Sequence, residues 1–255
     1  MLKIVIMNYK GGSGKTTTAL SLSAGLARRG KKVMLIDADP QGNATKCSGF
    51  PNAGAFKRTL VDALQTGDRV PCYPVHNTYH VVPSTVSLAR AESIMSKVDK
   101  PSEHLLKCLF PWEKYYDYCV IDCSPAICRL NAAFLNVSDY VIIPLQAEPL
   151  ALDGLITLIR YIRAVQNTNA NIKILGILIC RFKNRLLYDN IIDRIDKMAP
   201  GLLFCTQIRD TIKVPESQIC MHDIYFYDNS CSAAVDYSNF VDEVIIRIQD
   251  DEKAK

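Results

Sequence analysis

No Cys-x-x-Cys pair occurs among the ten cysteines of this 255-residue chain, and nothing ahead of them reads as a secretory signal. That excludes the disulfide frameworks of small secreted domains and the paired-thiol metal ribbons. The thiols are expected to be reduced and mostly buried, as in a cytoplasmic protein. No apolar run is long enough to span a bilayer. With a strand predicted from residue 2, no targeting peptide is expected before it. His76 and His80 stand four apart, but no HExxH pattern surrounds them, so a metal site there is not expected. There is no internal repeat, low-complexity stretch or linker, which leaves residues 1–255 as one domain.

What is present suits a single sizeable core: 49% of the residues are hydrophobic. The net charge of +4 is compatible with touching nucleic acid without demanding it. The chain is organised around Lys10-Gly11-Gly12-Ser13-Gly14-Lys15-Thr16-Thr17. Leu2 to Met7 before it is short, apolar and β-branched, a buried strand. Thr16 to Arg29 after it carries Ala19, Leu22 and Leu26 at helical spacing, with Gly30 at the helix-ending position. Glycines between a strand and a helix N-terminus let successive N–H groups point at an anion. Lys15 can then reach the β- and γ-phosphates, and the Thr16 hydroxyl can bind Mg²⁺. The alternative, a glycine-rich turn beside a surface lysine, leaves the agreement of strand, loop and helix unexplained.

Two further strands end in acids. Lys31 to Asp37 runs into Asp37-Ala38-Asp39-Pro40-Gln41-Gly42-Asn43, and Tyr118 to Asp122 ends in an acid at the position of a Walker B carboxylate. Acids at the carboxyl ends of parallel strands, beside a phosphate loop, lie where ligands bind in open α/β sheets. There Asp122 would hold Mg²⁺ through water. Further strands are predicted at Tyr79–Ser84, Asp139–Pro144, Ile172–Cys180 and Leu203–Ile208. Helices are predicted at Thr59–Gln65, Ser87–Met95, Pro101–Leu109 and Leu186–Met198, with a last one carrying Phe240, Val241, Val244, Ile245 and Ile248 on one face. The alternation predicts an α/β P-loop NTPase, a mostly parallel twisted sheet with helices on both faces. Residues 44–78, punctuated by glycine and proline, are the least readable.

The string KGGSGKTT resembles the deviant Walker A loop of the ParA/MinD family of ATPases. DADPQGNAT resembles that family's DxDPQGN segment, and Leu145 to Leu155 (LQAEPLALDGL) its passage into a long helix at the dimer face. The resemblance implies an ATP-bound homodimer with Mg²⁺, in which Lys10 reaches the phosphates of the partner subunit. It implies that Asp39 positions the attacking water and that Asp37 lies near the Mg²⁺ shell. Ile208 to Ser217 is similar to a segment that lies against adenine, with Asp210 accepting from the amino group. No guanine-reading motif occurs, which favours ATP over GTP.

Within the family, the acidic tail after a core-like last helix argues against a MinD-type membrane anchor. Cys123 and Cys128 leave a metal-cluster carrier open as the remotest alternative. The chain resembles the short ParA/Soj type. This implies slow hydrolysis, non-specific binding of double-stranded DNA in the ATP state, a ParB-type stimulating partner and a cytoplasmic, nucleoid-associated protein. Candidate phosphate contacts are Arg181, Lys183, Arg185, Arg209 and Lys213, each with a solvated surface charge as the plain alternative.

Overall fold

Ile4 and Ile6 point to one side of the first strand, Val5 and Met7 to the other, and all four are fully buried. A strand apolar on both faces needs a layer on each side, and the chain supplies two. The computed structural model describes residues 1–254 apart from 53, 55, 149, 150, 184 and 185, with only the backbone at 186 and 187. The strands are β1 (Leu2–Ile6), β2 (Val33–Ala38), β3 (Tyr73–His76), β4 (Tyr79–Val82), β5 (Tyr118–Cys123), β6 (Tyr140–Gln146), β7 (Lys173–Phe182) and β8 (Leu203–Arg209). They form one sheet in the order β3-β4-β2-β5-β1-β6-β7-β8. All neighbours run parallel except β3, which pairs antiparallel with β4.

The helices are α1 (Lys15–Arg28), α2 (Asn43–Cys47), α3 (Leu60–Thr66), α4 (Ala91–Ser96), α5 (Pro101–Leu109), α6 (Arg129–Val137), α7 (Ala151–Val165), α8 (Leu186–Met198), α9 (Lys213–Ile219), α10 (Ile224–Tyr227) and α11 (Ser232–Lys253). α1, α10 and α11 cover the face of Ile4, Ile6, Val33 and Leu35. α3, α5, α6, α7 and α8 cover the face of Val5, Met7, Met34 and Ile36. The two layers account for the apolar stripes in the helices and for the unbroken apolar runs in the central strands. No helix among the described residues is long and apolar enough to cross a membrane.

Register decides where the acids fall. Asp122 lies opposite Ile6 on one side and Asp37 on the other. β1 sits between β5 and β6, so the loop leaving its carboxyl end opens over the strand-end acids.

Two local expectations need correction, and one unreadable stretch gains a structure. Residues 44–78 hold the end of the five-residue α2 as well as the edge strand β3, whose Pro74 hides a strand from periodicity. The helix expected over Ser87–Met95 begins as a 3₁₀ turn, Val86–Arg90, before α4. All ten thiols are free, but only Cys108, Cys119, Cys123 and Cys180 are buried, while Cys205 and Cys220 are exposed. Residue type alone does not say which side of an edge strand or short helix faces solvent.

Candidate functional site

The loop from Lys10 to Gly14 is held by its neighbours rather than by its own side chains. Asn8 donates from Nδ2 to the Pro144 carbonyl at 2.7 Å and accepts from the Lys10 amide at 3.0 Å, which ties the loop's start to β6. Gln146 Nε2 donates to the Gly12 carbonyl. Gly14, the residue before α1, has φ +96°, and a Cβ there would lie 3.2 Å from the Cys180 sulfur. Only glycine accepts both that backbone and that approach. Lys15 opens α1, is 7% exposed and donates from Nζ to the Lys10 carbonyl at 3.1 Å. Burial pulls its ammonium below the usual lysine range, opposed by Asp122 and Asp39. Thr17 Oγ1 accepts from Gln218 Nε2 of α9 at 2.9 Å, so the residue just after the segment expected against adenine touches the start of α1.

Lys10 lies at the lip of the loop. Its ammonium pairs with Glu148 of the same chain, and both side chains are more than two-fifths exposed. Its backbone, not its side chain, shapes the loop, through the amide to Asn8 and the carbonyl to Lys15.

The three acids differ in kind. Asp122 is 1% exposed, and neither oxygen finds a hydrogen-bond donor of good geometry among the described residues. Burial and then the neighbouring Asp37 push its carboxyl well above the usual range, against the nearby Thr16 hydroxyl and Lys15. A buried carboxylate with open oxygens is costly unless a cation completes it. Asp122 and the Thr16 hydroxyl therefore fit a divalent metal. No group of three or more His, Cys, Asp or Glu among the described residues forms a metal cage. Mg²⁺ does not need one, because it keeps waters and takes phosphate oxygens.

Asp37 is fully buried and already occupied. Its carboxylate accepts from the Thr45 amide and hydroxyl, both at 2.7 Å, and from the Asp39 amide at 3.2 Å. Burial pushes it up to about 6, opposed by those Thr45 contacts. Asp39 is partly exposed, and its Oδ1 accepts from the Gln41 amide at 2.9 Å.

Asp210, the expected adenine acceptor, is engaged elsewhere. Arg181 Nε lies 3.0 Å from one oxygen and Lys183 Nζ 3.1 Å from the other. Burial raises its carboxyl, but the two cations outweigh this and hold it below the usual range. Arg181 itself has φ +55°, a left-handed kink at the end of β7. Two further basic candidates also have carboxylate partners. Arg209 clasps Asp236 at 2.7 Å, and Lys213 pairs with Glu216 at 3.0 Å. Arg185 lies outside the described residues.

Asn8, Gln146 and Gln218 complete the surroundings of the phosphate loop, and Thr45 and Ser84 those of the turn after β2; sequence reading does not single them out as site residues. Asn8 and Gln146 do carry a legible signal, since each is polar and stands at or just past the end of a buried strand.

Residues 1–174 match the family model described as an AAA domain. The sporulation initiation inhibitor protein Soj of Bacillus subtilis is 35% identical, over 94% of this chain and 97% of its own length. The chromosome-partitioning ATPase Soj of Treponema pallidum is 31% identical, over 96% and 97%. The structure of cobyrinic acid a,c-diamide synthase from Mycobacterium smegmatis, with bound ATP analog and magnesium, matches with a TM-score of 0.80 at 27% identity, over 95% of this chain and 93% of that one. With a phosphate loop, strand-end acids and full-length relatives in agreement, the chain belongs to the Soj/ParA family of partitioning ATPases.

Proposed function

We propose that this chain is an ATP-dependent partitioning switch. It dimerises on ATP, binds DNA without sequence preference in that state, and releases it when a ParB-type partner stimulates hydrolysis. The observation that carries this reading is Lys10. It is a half-exposed cation at the lip of the phosphate loop, and its side chain is not needed to build that loop. Such a residue is free to serve a nucleotide in a second copy.

Lys15 neutralises charge developing on the phosphates, and Asp39 orients the attacking water. Asp122 and Thr16 would hold Mg²⁺, which supplies charge stabilisation on the phosphate oxygens. The magnesium and ATP analogue in the related synthase structure support that assignment. Basal hydrolysis is slow until the ParB-type partner stimulates it. The protein is expected in the cytoplasm, on the nucleoid. α11 spends its apolar face, including Phe240, Val241, Val244 and Ile248, on the core, which favours DNA over a lipid surface as the target.

DNA phosphates would have to compete with the carboxylates that hold Arg181, Lys183, Arg209 and Lys213. Arg209 is a poor probe, because Asp236 depends on it. Lys183 is the better one: it is two-fifths exposed and shares Asp210 with Arg181. The test is binding to a non-specific duplex with ATP, with ADP and without nucleotide, over a range of salt. Binding should require ATP and weaken with salt. Lys183→Ala should weaken it on every sequence and lower the salt slope by about 1. Dimerisation on ATP with no DNA binding in any state would overturn the DNA reading and keep the ATPase.

A further inference from the structure

β2 and β4 pair in register up to Ile36 and Val82. The residue after β4 is Pro83, which has no amide hydrogen, so the ladder cannot continue. Ser84, 3% exposed, leaves the sheet and crosses to the loop after β2. Its amide donates to the Thr45 hydroxyl at 2.9 Å, and its own hydroxyl donates to the Asp39 carbonyl at 2.7 Å. The Thr45 hydroxyl donates in turn to Asp37, and Asp37 accepts from the Asp39 amide. These bonds close a buried ring, Asp37–Thr45–Ser84–Asp39, that grips the main chain of Asp39 from both sides. The side chain of Asp39 is left outside the ring.

Gly42 shows how tight the arrangement is. It has φ +63°, and a Cβ there would lie 2.9 Å from the Ser84 carbonyl oxygen. Its amide also donates to the Asp39 carbonyl, at 3.0 Å. The turn can therefore sit against the end of β4 only with glycine at this position. The buried side-chain oxygens of Asp37, Thr45 and Ser84 are all partnered. Such a network fixes one geometry, whereas a half-made one would be worse than none.

We propose that Ser84 is a positioning residue for hydrolysis, fixing through this ring the place from which Asp39 orients the attacking water. It touches neither nucleotide nor water. It acts on the main chain of the residue that does, and so on the chemical step rather than on ATP binding. This rests on the reading of Asp39 given above, and the test separates the two.

The measurement is single-turnover ATP hydrolysis with Mg²⁺, alongside nucleotide affinity, for Ser84→Ala, Gly42→Ala, Asp39→Ala and the Ser84→Ala/Asp39→Ala double variant of the full chain. Ser84→Ala removes the hydroxyl. Gly42→Ala pushes the same contact apart by a different route, and covers the case in which one variant fails to fold. Both should slow hydrolysis by roughly 10- to 100-fold, the scale of a displaced catalytic group, with ATP affinity unchanged. In the Asp39→Ala background, Ser84→Ala should slow it no further, because the group it positions is gone. Native hydrolysis in both single variants would overturn the proposal. So would ATP affinity falling in step with rate, or a full additional loss in the double variant. A native rate in Asp39→Ala would instead remove the reading of Asp39 on which the proposal stands.

Discussion

Lys10→Ala should bind ATP as the native chain does and hydrolyse it roughly 10³-fold more slowly, the scale of a cation supplied in trans. The first half follows from what the side chain does in one chain. Among the described residues it makes a single ion pair, with Glu148, and both partners are more than two-fifths exposed. Such a pair contributes little to stability. The loop keeps its shape, because Asn8, Gln146 and the Lys10 backbone remain. Lys15→Ala should differ in kind. That side chain is buried in the loop and is expected to be needed for binding itself.

The second half tests whether Lys10 acts on its own chain's nucleotide or on a partner's. Lys10→Ala mixed with an equal amount of Asp39→Ala decides it. If Lys10 acts across the dimer, half of the dimers are mixed and each has one complete site, so about a quarter of the native rate returns. If Lys10 acts within its own chain, no site in the mixture is complete and nothing returns. Wild-type hydrolysis by Lys10→Ala alone would dismiss a role for this lysine altogether.

The parts of the site that could be read from the sequence are those fixed by the backbone. A glycine-rich loop between a buried strand and a helix has few shapes open to it. Acids at strand ends are then brought beside it by sheet register, as Asp37 and Asp122 are. What could not be read depends on which side chains meet across the fold. Ser84 and Asp39 lie 45 positions apart, and nothing in a Pro-Ser at a strand end says which carbonyl the hydroxyl will reach. The basic candidates illustrate the same limit. Arg181 and Lys183 read as exposed cations until β8 brings Asp210 beside them, and Arg209 until α11 brings Asp236. Short elements failed for a related reason. α2 and β3 have five and four residues and are made stable by packing, not by their own periodicity.

Asp122 offers the other large effect, in two measurements of opposite sign. Its carboxylate is buried and neither oxygen has a donor of good geometry among the described residues, so the ligand-free chain carries a desolvation cost that the nearby Thr16 hydroxyl and Lys15 offset only in part. Asp122→Asn keeps the shape and removes the charge. The ligand-free variant should be more stable near neutral pH by about 1 kcal/mol, at the low end of the cost of an unsatisfied buried polar group. Its hydrolysis should fall roughly 10- to 100-fold, as when an acid that holds a metal through water is lost. Heating scans with ADP alone and with ADP plus Mg²⁺ connect the two results. The native chain should gain a further rise in unfolding temperature when Mg²⁺ is added, and the variant should gain little. A ligand-free variant less stable than the native chain, with the Mg²⁺ response intact, would make Asp122 a structural acid and move the metal elsewhere. A more stable and nearly inactive variant would mean that the fold bears a cost at Asp122 which only the metal-bound nucleotide relieves.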